Sequence, residues 1–312
     1  MNQLSSEKAK LIKRISNGCE TFIEDRCVLH KGSVEASFIS FGLECPTTAQ
    51  AGEWLTVRLS SPDQTVTMRR HSRPGSKFLP QGLAIIYEDR DVLVVDKPAG
   101  LLTIGTDTEK SRTAYFILTD YIRKGSAKSK KCIFIVHRLD RDTSGILIFA
   151  KSEEAKLYLQ SHWKETKKKY LAVVHGKCEK RAETISTYLA ENQGYGVYST
   201  SDTRKGKLSH TAYKVLKETR DFALLEVDLL TGRKHQIRVH LAGIGHPVVG
   251  DQRYGKENKA HQRLALHARS ISFRHPFSGE LLTFETRVPA YFRQLVGHFD
   301  RVNAQPANPT SV

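Results

Sequence analysis

The residues best placed to do chemistry fall in one short stretch, Val136-His137-Arg138-Leu139-Asp140-Arg141-Asp142-Thr143-Ser144-Gly145, where a polar, turn-forming knot interrupts two apolar runs. Its centre is the Asp140 carboxylate. With His137 and Asp142 it could instead supply ligands to a divalent ion for phosphodiester hydrolysis, although Asp142 is also the residue type that caps a turn. Two other stretches carry reactive groups. Lys167-Lys168-Lys169-Tyr170 runs a cationic cluster into an aromatic ring, on which an unpaired base could stack while Lys168 and Lys169 hold phosphates. Taken alone, a strand tyrosine is more often core packing and a lysine run a solvated helix end. In Thr231-Gly232-Arg233-Lys234-His235-Gln236-Ile237-Arg238-Val239-His240 the guanidinium of Arg238 could point inward, or the segment could simply contact phosphate through Arg233, Lys234 and Arg238.

Elements must position these groups. Ile133 to Val136 has the content of a buried strand and Ile146 to Ala150 starts a second, so Asp140 is expected on a loop fixed at both ends. Ala84–Tyr87 and Val92–Asp96 read as a hairpin across Glu88-Asp89-Arg90, followed by a turn at Lys97-Pro98-Ala99-Gly100. Ser152 is placed to cap a helix with Glu153 and Glu154 in its first turn. A strand from Phe222 to Leu229 should end at Thr231, an N-cap for a helix over 233–242.

Composition limits the partners. The 312 residues carry 49 Lys and Arg against 33 Asp and Glu, a net charge of +16, with a pI near 9.6. Such an excess points to a polyanion, and nucleic acid is its usual source, because neutralised phosphates release counterions. No membrane role is expected: the first residues lack a secretory core, and no apolar run reaches the ~18 residues of a bilayer span. A cytoplasmic protein is expected. Five cysteines, Cys19, Cys27, Cys45, Cys132 and Cys178, form no CxxC pair, so neither a disulfide framework nor a metal site near Cys19, Cys27, His30 and Cys45 is expected. Residues 1–80 read as a small N-terminal domain that opens with a basic amphipathic helix over 7–15 and closes in a breaker-rich linker near 69–80. Residues 81–298 form a larger domain in which strands and helices alternate without a repeat, and 299–312 a polar, disordered tail.

Several of these segments together resemble the RluA-like family of pseudouridine synthases. The resemblance rests on His137-Arg138-Leu139-Asp140 with Thr143-Ser144-Gly145, on Lys168-Lys169-Tyr170, and on Gly232-Arg233-Lys234-His235-Gln236-Ile237-Arg238. In the same order come Asp96-Lys97-Pro98-Ala99-Gly100-Leu101, Gly245-His246-Pro247-Val248-Val249-Gly250-Asp251 and Leu264-Ala265-Leu266-His267-Ala268. Collinear motifs are far more specific than any one of them. The resemblance implies an α+β fold, a mainly antiparallel central sheet flanked by helices and cleft by the active site. It implies a cofactor-free isomerisation of uridine in structured RNA, ribosomal RNA first and transfer RNA second, by a monomer that needs no small-molecule cofactor and no metal. Asp140 would be the nucleophile, attacking base or sugar. Arg238 would be its opposing cation, Tyr170 would stack on the uracil, and Ile237 and Leu266 would line the base pocket. Arg138 would fill the gap left by a flipped nucleotide. A catalytically silent RNA-binding or ribosome-assembly protein is the competing class. The N-terminal domain echoes a small RNA-binding module only approximately, through Gly52-Glu53-Trp54-Leu55-Thr56-Val57.

Overall fold

The computed structural model describes residues 77–106, 108–126, 128–194, 196–255 and 263–299, together with the backbone of four earlier strands. Those four, β1 (Thr21–Glu24), β2 (Cys27–His30), β3 (Trp54–Arg58) and β4 (Thr65–Arg69), form an antiparallel sheet in the order β1-β2-β3-β4. They belong to a unit separate from the one spanning Gly75–Val302. The helix expected over 7–15, the linker from residue 70 to 76 and the tail beyond 299 lie outside the described residues.

The larger unit is α+β, built on one long sheet of mostly antiparallel strands. At its centre lie β7 (Val92–Lys97), β9 (Ser144–Ala150), β10 (Lys167–His175), β14 (Phe222–Leu229) and β15 (Leu266–Arg274). The first four residues of β7 and residues 146–150 of β9 are continuously apolar because both faces are covered. Leu93, Val95, Leu147 and Phe149 enter one core, while Val92, Val94, Ile146 and Ile148 enter another on the opposite face. The hairpin expected around Glu88 is present, β6 (Ala84–Glu88) pairing antiparallel with β7. Its turn is organised by Asp89, whose Oδ1 accepts from the N–H groups of Asp91 and Val92 at 2.8 and 2.7 Å.

Helices pack on this sheet with readable caps. Thr113 accepts from the N–H of Phe116 to start α1 (Ala114–Arg123), and Ser152 accepts from that of Ala155 to start α2 (Glu153–Ser161), as its sequence signalled. Two local expectations need correction. The strand before the Asp140 loop is only β8 (Phe134–Ile135), because His137 turns inward and accepts the Ile148 N–H on its Nε2. The helix expected over 233–242 is α3 (Gln236–Gly243), and Thr231 does not cap it. Instead the buried Gln236 side chain accepts from Arg233 N and Thr231 Oγ1 and donates to His210 O and Thr211 Oγ1, which holds 231–235 as a loop.

Candidate active site

Two mainstays fix the Asp140 loop. Lys97, fully buried at the end of β7, donates its three ammonium hydrogens to the carbonyls of Pro98, Leu101 and Arg141 at 3.0, 2.7 and 2.9 Å. The N–H of Gly100 also meets Arg141 O, at 2.9 Å. Thr103 Oγ1 donates to Leu139 O and accepts from Leu139 N, so both neighbours of Asp140 are tied to the turn after β7. Burial draws the Lys97 ammonium down to about 7, against the pull of Asp142, Asp140 and Asp96. Beyond the loop, Gly145 has φ +111° and pairs in parallel with Ala268 of β15. A Cβ there would lie 2.2 Å from the Ala268 carbonyl oxygen, so only glycine allows β9 and β15 to approach this closely. That approach brings Leu266 into the site.

The carboxylate of Asp140 meets a guanidinium that is itself anchored. Arg238 Nη1 donates to Asp140 Oδ2 at 3.0 Å, while its Nε and Nη2 donate in fork geometry to Asp251 Oδ2 and Oδ1, both at 2.8 Å. Asp251 has no exposed side-chain surface, and its Oδ1 also accepts from the N–H groups of Arg253 and Tyr254. Burial alone would lower the Arg238 pKa, yet Asp251 and then Asp140 hold it above the usual arginine range. For Asp251, burial would raise the pKa, and Arg238 with the two backbone N–H groups brings it below the usual carboxylate range.

His235 faces the other oxygen, with Nε2 3.8 Å from Asp140 Oδ1. Its backbone is left-handed at φ +53°, a conformation that costs a non-glycine residue and that clusters at functional sites. Its Nδ1 lies 2.8 Å from the Tyr254 hydroxyl, which already accepts from Val197 N. That contact orients the imidazole so that Nε2 faces Asp140, while the tautomer sets which ring nitrogen carries the proton. Burial lowers the His235 pKa against the pull of Asp140, with the nearby cations adding to the decrease.

These groups open on a cavity of about 200 Å³ lined by Arg138, Asp140, Tyr170, Ile237, Arg238 and Leu266 among others, so six residues singled out in the sequence converge. Tyr170, Ile237 and Leu266 are buried and form its apolar wall. Burial and then the charge of Asp140 raise the Tyr170 phenol pKa. Arg138 is exposed at the rim. Arg233 and Lys234 also line the cavity, Lys234 paired with Glu191. The other two lysines are engaged within the protein: Lys168 is buried, donating to the carbonyls of Trp163 and Thr166, and Lys169 pairs with Glu226 at 2.8 Å and Asp228 at 3.6 Å. Lys168 is an internal strut, and Lys169 is a partly exposed partner of the β14 acids.

His137, Asp140 and Asp142 do not converge as ligands. Among the described residues the His and carboxylate group with ligand atoms within 4.8 Å of one another is Asp89, Asp91 and His275, at the hairpin turn. Sequence reading missed His235, Asp251, Tyr254 and Lys97. Lys97, His235 and Asp251 lay inside segments already singled out and Tyr254 did not, but a buried carboxylate behind an arginine leaves no periodic signal.

A family model described as RNA pseudouridylate synthase matches residues 91–243, which include Asp140, Tyr170 and Arg238. An uncharacterized RNA pseudouridine synthase of Bacillus subtilis is 35% identical over 260 residues, covering 79% of this chain and 80% of the relative. A ribosomal large subunit pseudouridine synthase D of Nitrosomonas europaea is 31% identical over 301 residues, covering 92% and 81%. Among solved structures, human RNA pseudouridylate synthase domain containing 1 superposes with a TM-score of 0.54 at 28% identity, over 69% of this chain and 86% of the other. With these similarities spread across the site just described, the chain belongs to the RluA-like family of RNA pseudouridine synthases and is an RNA-modifying isomerase.

Proposed function

We propose that the enzyme isomerises a uridine of ribosomal RNA with Asp140 as nucleophile, on a nucleotide flipped out of its helix. The observation that carries this reading is the 3.0 Å contact of Asp140 with an Arg238 clamped by buried Asp251, facing a cavity with an apolar wall. Asp140 attacks either the sugar or the base and breaks the N-glycosidic bond. The uracil then turns and is rejoined through carbon, the proton lost from that carbon being matched by one gained at the nitrogen whose bond was broken, and the carboxylate is released unchanged. Each step keeps the atoms of the substrate, so no oxidant or reductant is required. Tyr170 stacks on the uracil, Ile237 and Leu266 flank it, and Arg238 offsets charge as the carboxylate engages and leaves. A base inside a duplex cannot reach this depth, so the nucleotide is everted and Arg138 occupies the gap at the rim.

The choice of ribosomal RNA is supported by the Nitrosomonas relative's name, with transfer RNA the second candidate. The positive charge of the chain, +16, suits a phosphate-dominated and salt-sensitive grip. Among the described residues no helix is long and apolar enough to cross a membrane. We infer that the enzyme works where its RNA is, in the cytoplasm, and acts as a monomer. We also propose that the N-terminal module helps select the RNA; the catalytic unit begins at Gly75, ahead of the residue-80 boundary expected from sequence, because Lys77–Phe78 pairs with β6 in the large sheet.

The test uses purified full-length enzyme on transcripts of ribosomal and transfer RNA, with pseudouridine mapped at single-nucleotide resolution in EDTA. Conversion of one ribosomal uridine with the RNA left intact, abolished in Asp140→Ala, is expected. RNA cleavage that EDTA stops would show a hydrolase instead. Unchanged function in Asp140→Ala would show a binding protein.

A further inference from the structure

The catalytic cavity has a neighbour. A second cavity of about 240 Å³ is walled by His137, Arg138, Trp163, Tyr170, Leu229 and Gly232, and four of these, Arg138, Tyr170, Leu229 and Gly232, also line the first. A single strand with one base in the Asp140 cavity would carry its next base to this one. The indole of Trp163 packs on the His137 ring at a centroid distance of 4.5 Å, with Lys168 Nζ 5.2 Å from its own centroid. Its nitrogen edge points toward Gly232, where an added Cβ would lie 4.0 Å from Nε1. Among the described residues neither Trp163 Nε1–H nor the Arg138 guanidinium has a hydrogen-bond partner. Two donors therefore converge on a space the size of a base.

Donors select acceptors. Guanine offers N7 and O6 and uracil its carbonyl oxygens, whereas adenine and cytosine each place an amino group on the corresponding edge, donor against donor. We propose that this cavity receives the base next to the target uridine, that it prefers guanine or uracil to adenine or cytosine, and that Trp163 is the specificity-determining residue. The proposal rests on the reading that the target uridine enters the Asp140 cavity.

The test varies each neighbour of the target through all four bases in a short stem-loop RNA taken from around the uridine that the purified enzyme isomerises, and measures kcat and KM. Wild type should favour guanine or uracil at one neighbour by about five- to 150-fold, expressed in KM, the discrimination a good base contact provides. Trp163→Phe keeps a ring on His137 but removes the N–H, and Gly232→Ala places a methyl against the indole nitrogen at a backbone position without left-handed strain. Both should collapse the discrimination. Equal slowing of every RNA would make Trp163 a packing residue, and discrimination that survives both variants, or is missing from wild type, would overturn the subsite. If wild type and Asp140→Ala convert uridine indistinguishably, the Asp140 reading fails and the subsite falls with it.

Discussion

Replacing Asp251 with asparagine separates aim from mere charge at this site. Its Oδ1 accepts three bonds, from Arg238 Nη2, Arg253 N and Tyr254 N, and its Oδ2 accepts one, from Arg238 Nε. Asparagine keeps its oxygen where three donors meet, so its amide nitrogen falls opposite Arg238 Nε–H, donor facing donor. One charge-assisted bond, worth about 1.5–3 kcal/mol, is lost and the other weakened. Removing one partner of a buried pair costs about 3–5 kcal/mol, but Asp140 still meets Nη1, so we expect a destabilisation of about 2–4 kcal/mol. The guanidinium then swings from its fork, and a misplacement of this kind lowers kcat by about a hundredfold. Urea unfolding and single-turnover pseudouridine formation, measured on the same preparation, read the two effects separately. A stability loss with unchanged kcat would refute the claim that Asp251 aims Arg238, and unchanged stability would refute the energetic coupling itself.

Gly145→Ala should destabilise by more than about 4 kcal/mol or abolish folding, since a 2.2 Å approach to the Ala268 oxygen leaves backbone nowhere to move; a soluble, wild-type-like melting curve would contradict the β9–β15 register. Three buried histidines have pKa values drawn down by burial, His137 and His267 to about 3 and His240 to about 4. Their folded values lie below the unfolded ~6.5, so the unfolded chain binds more protons and stability falls as pH drops from about 6.5 toward 4, by up to about 4 kcal/mol per pH unit for the three together. Equilibrium unfolding against pH checks this, and a flat profile would show that these rings charge within the fold. Tyr254→Phe removes the hydrogen-bond partner of His235 Nδ1 and should lower kcat about tenfold while adding a dependence on pH near the histidine range. An unaltered pH–rate profile would remove His235 from the account.

Much of the site was legible because its parts lie in short collinear motifs. The continuous apolar runs of Val92 to Val95 and of Ile146 to Phe149 marked both central strands as buried on two faces, and the turn residues between Asp142 and Gly145 marked the loop that carries Asp140. Ser152 announced its helix because capping is local chemistry. What escaped was decided by tertiary contact. Gln236 spends its side chain on Arg233, Thr231, His210 and Thr211, which delays α3 by three residues despite helical potential from Arg233. Lys168 and Lys169 looked like a cationic surface, yet Lys168 is buried and Lys169 pairs with two acidic residues on β14, and strand register cannot be read from a lysine run. Asp251 stands 13 residues beyond the arginine that it anchors, a distance no local rule spans.

The most direct measurement is single-turnover conversion by Asp140→Asn, which keeps the shape of a mostly buried side chain and removes its charge, alongside RNA affinity for the same protein. The account predicts that the variant folds and binds the RNA as wild type does and forms no pseudouridine. Pseudouridine appearing at a rate near that of wild type would contradict it, because the reaction would then proceed without the nucleophile on which this site is built.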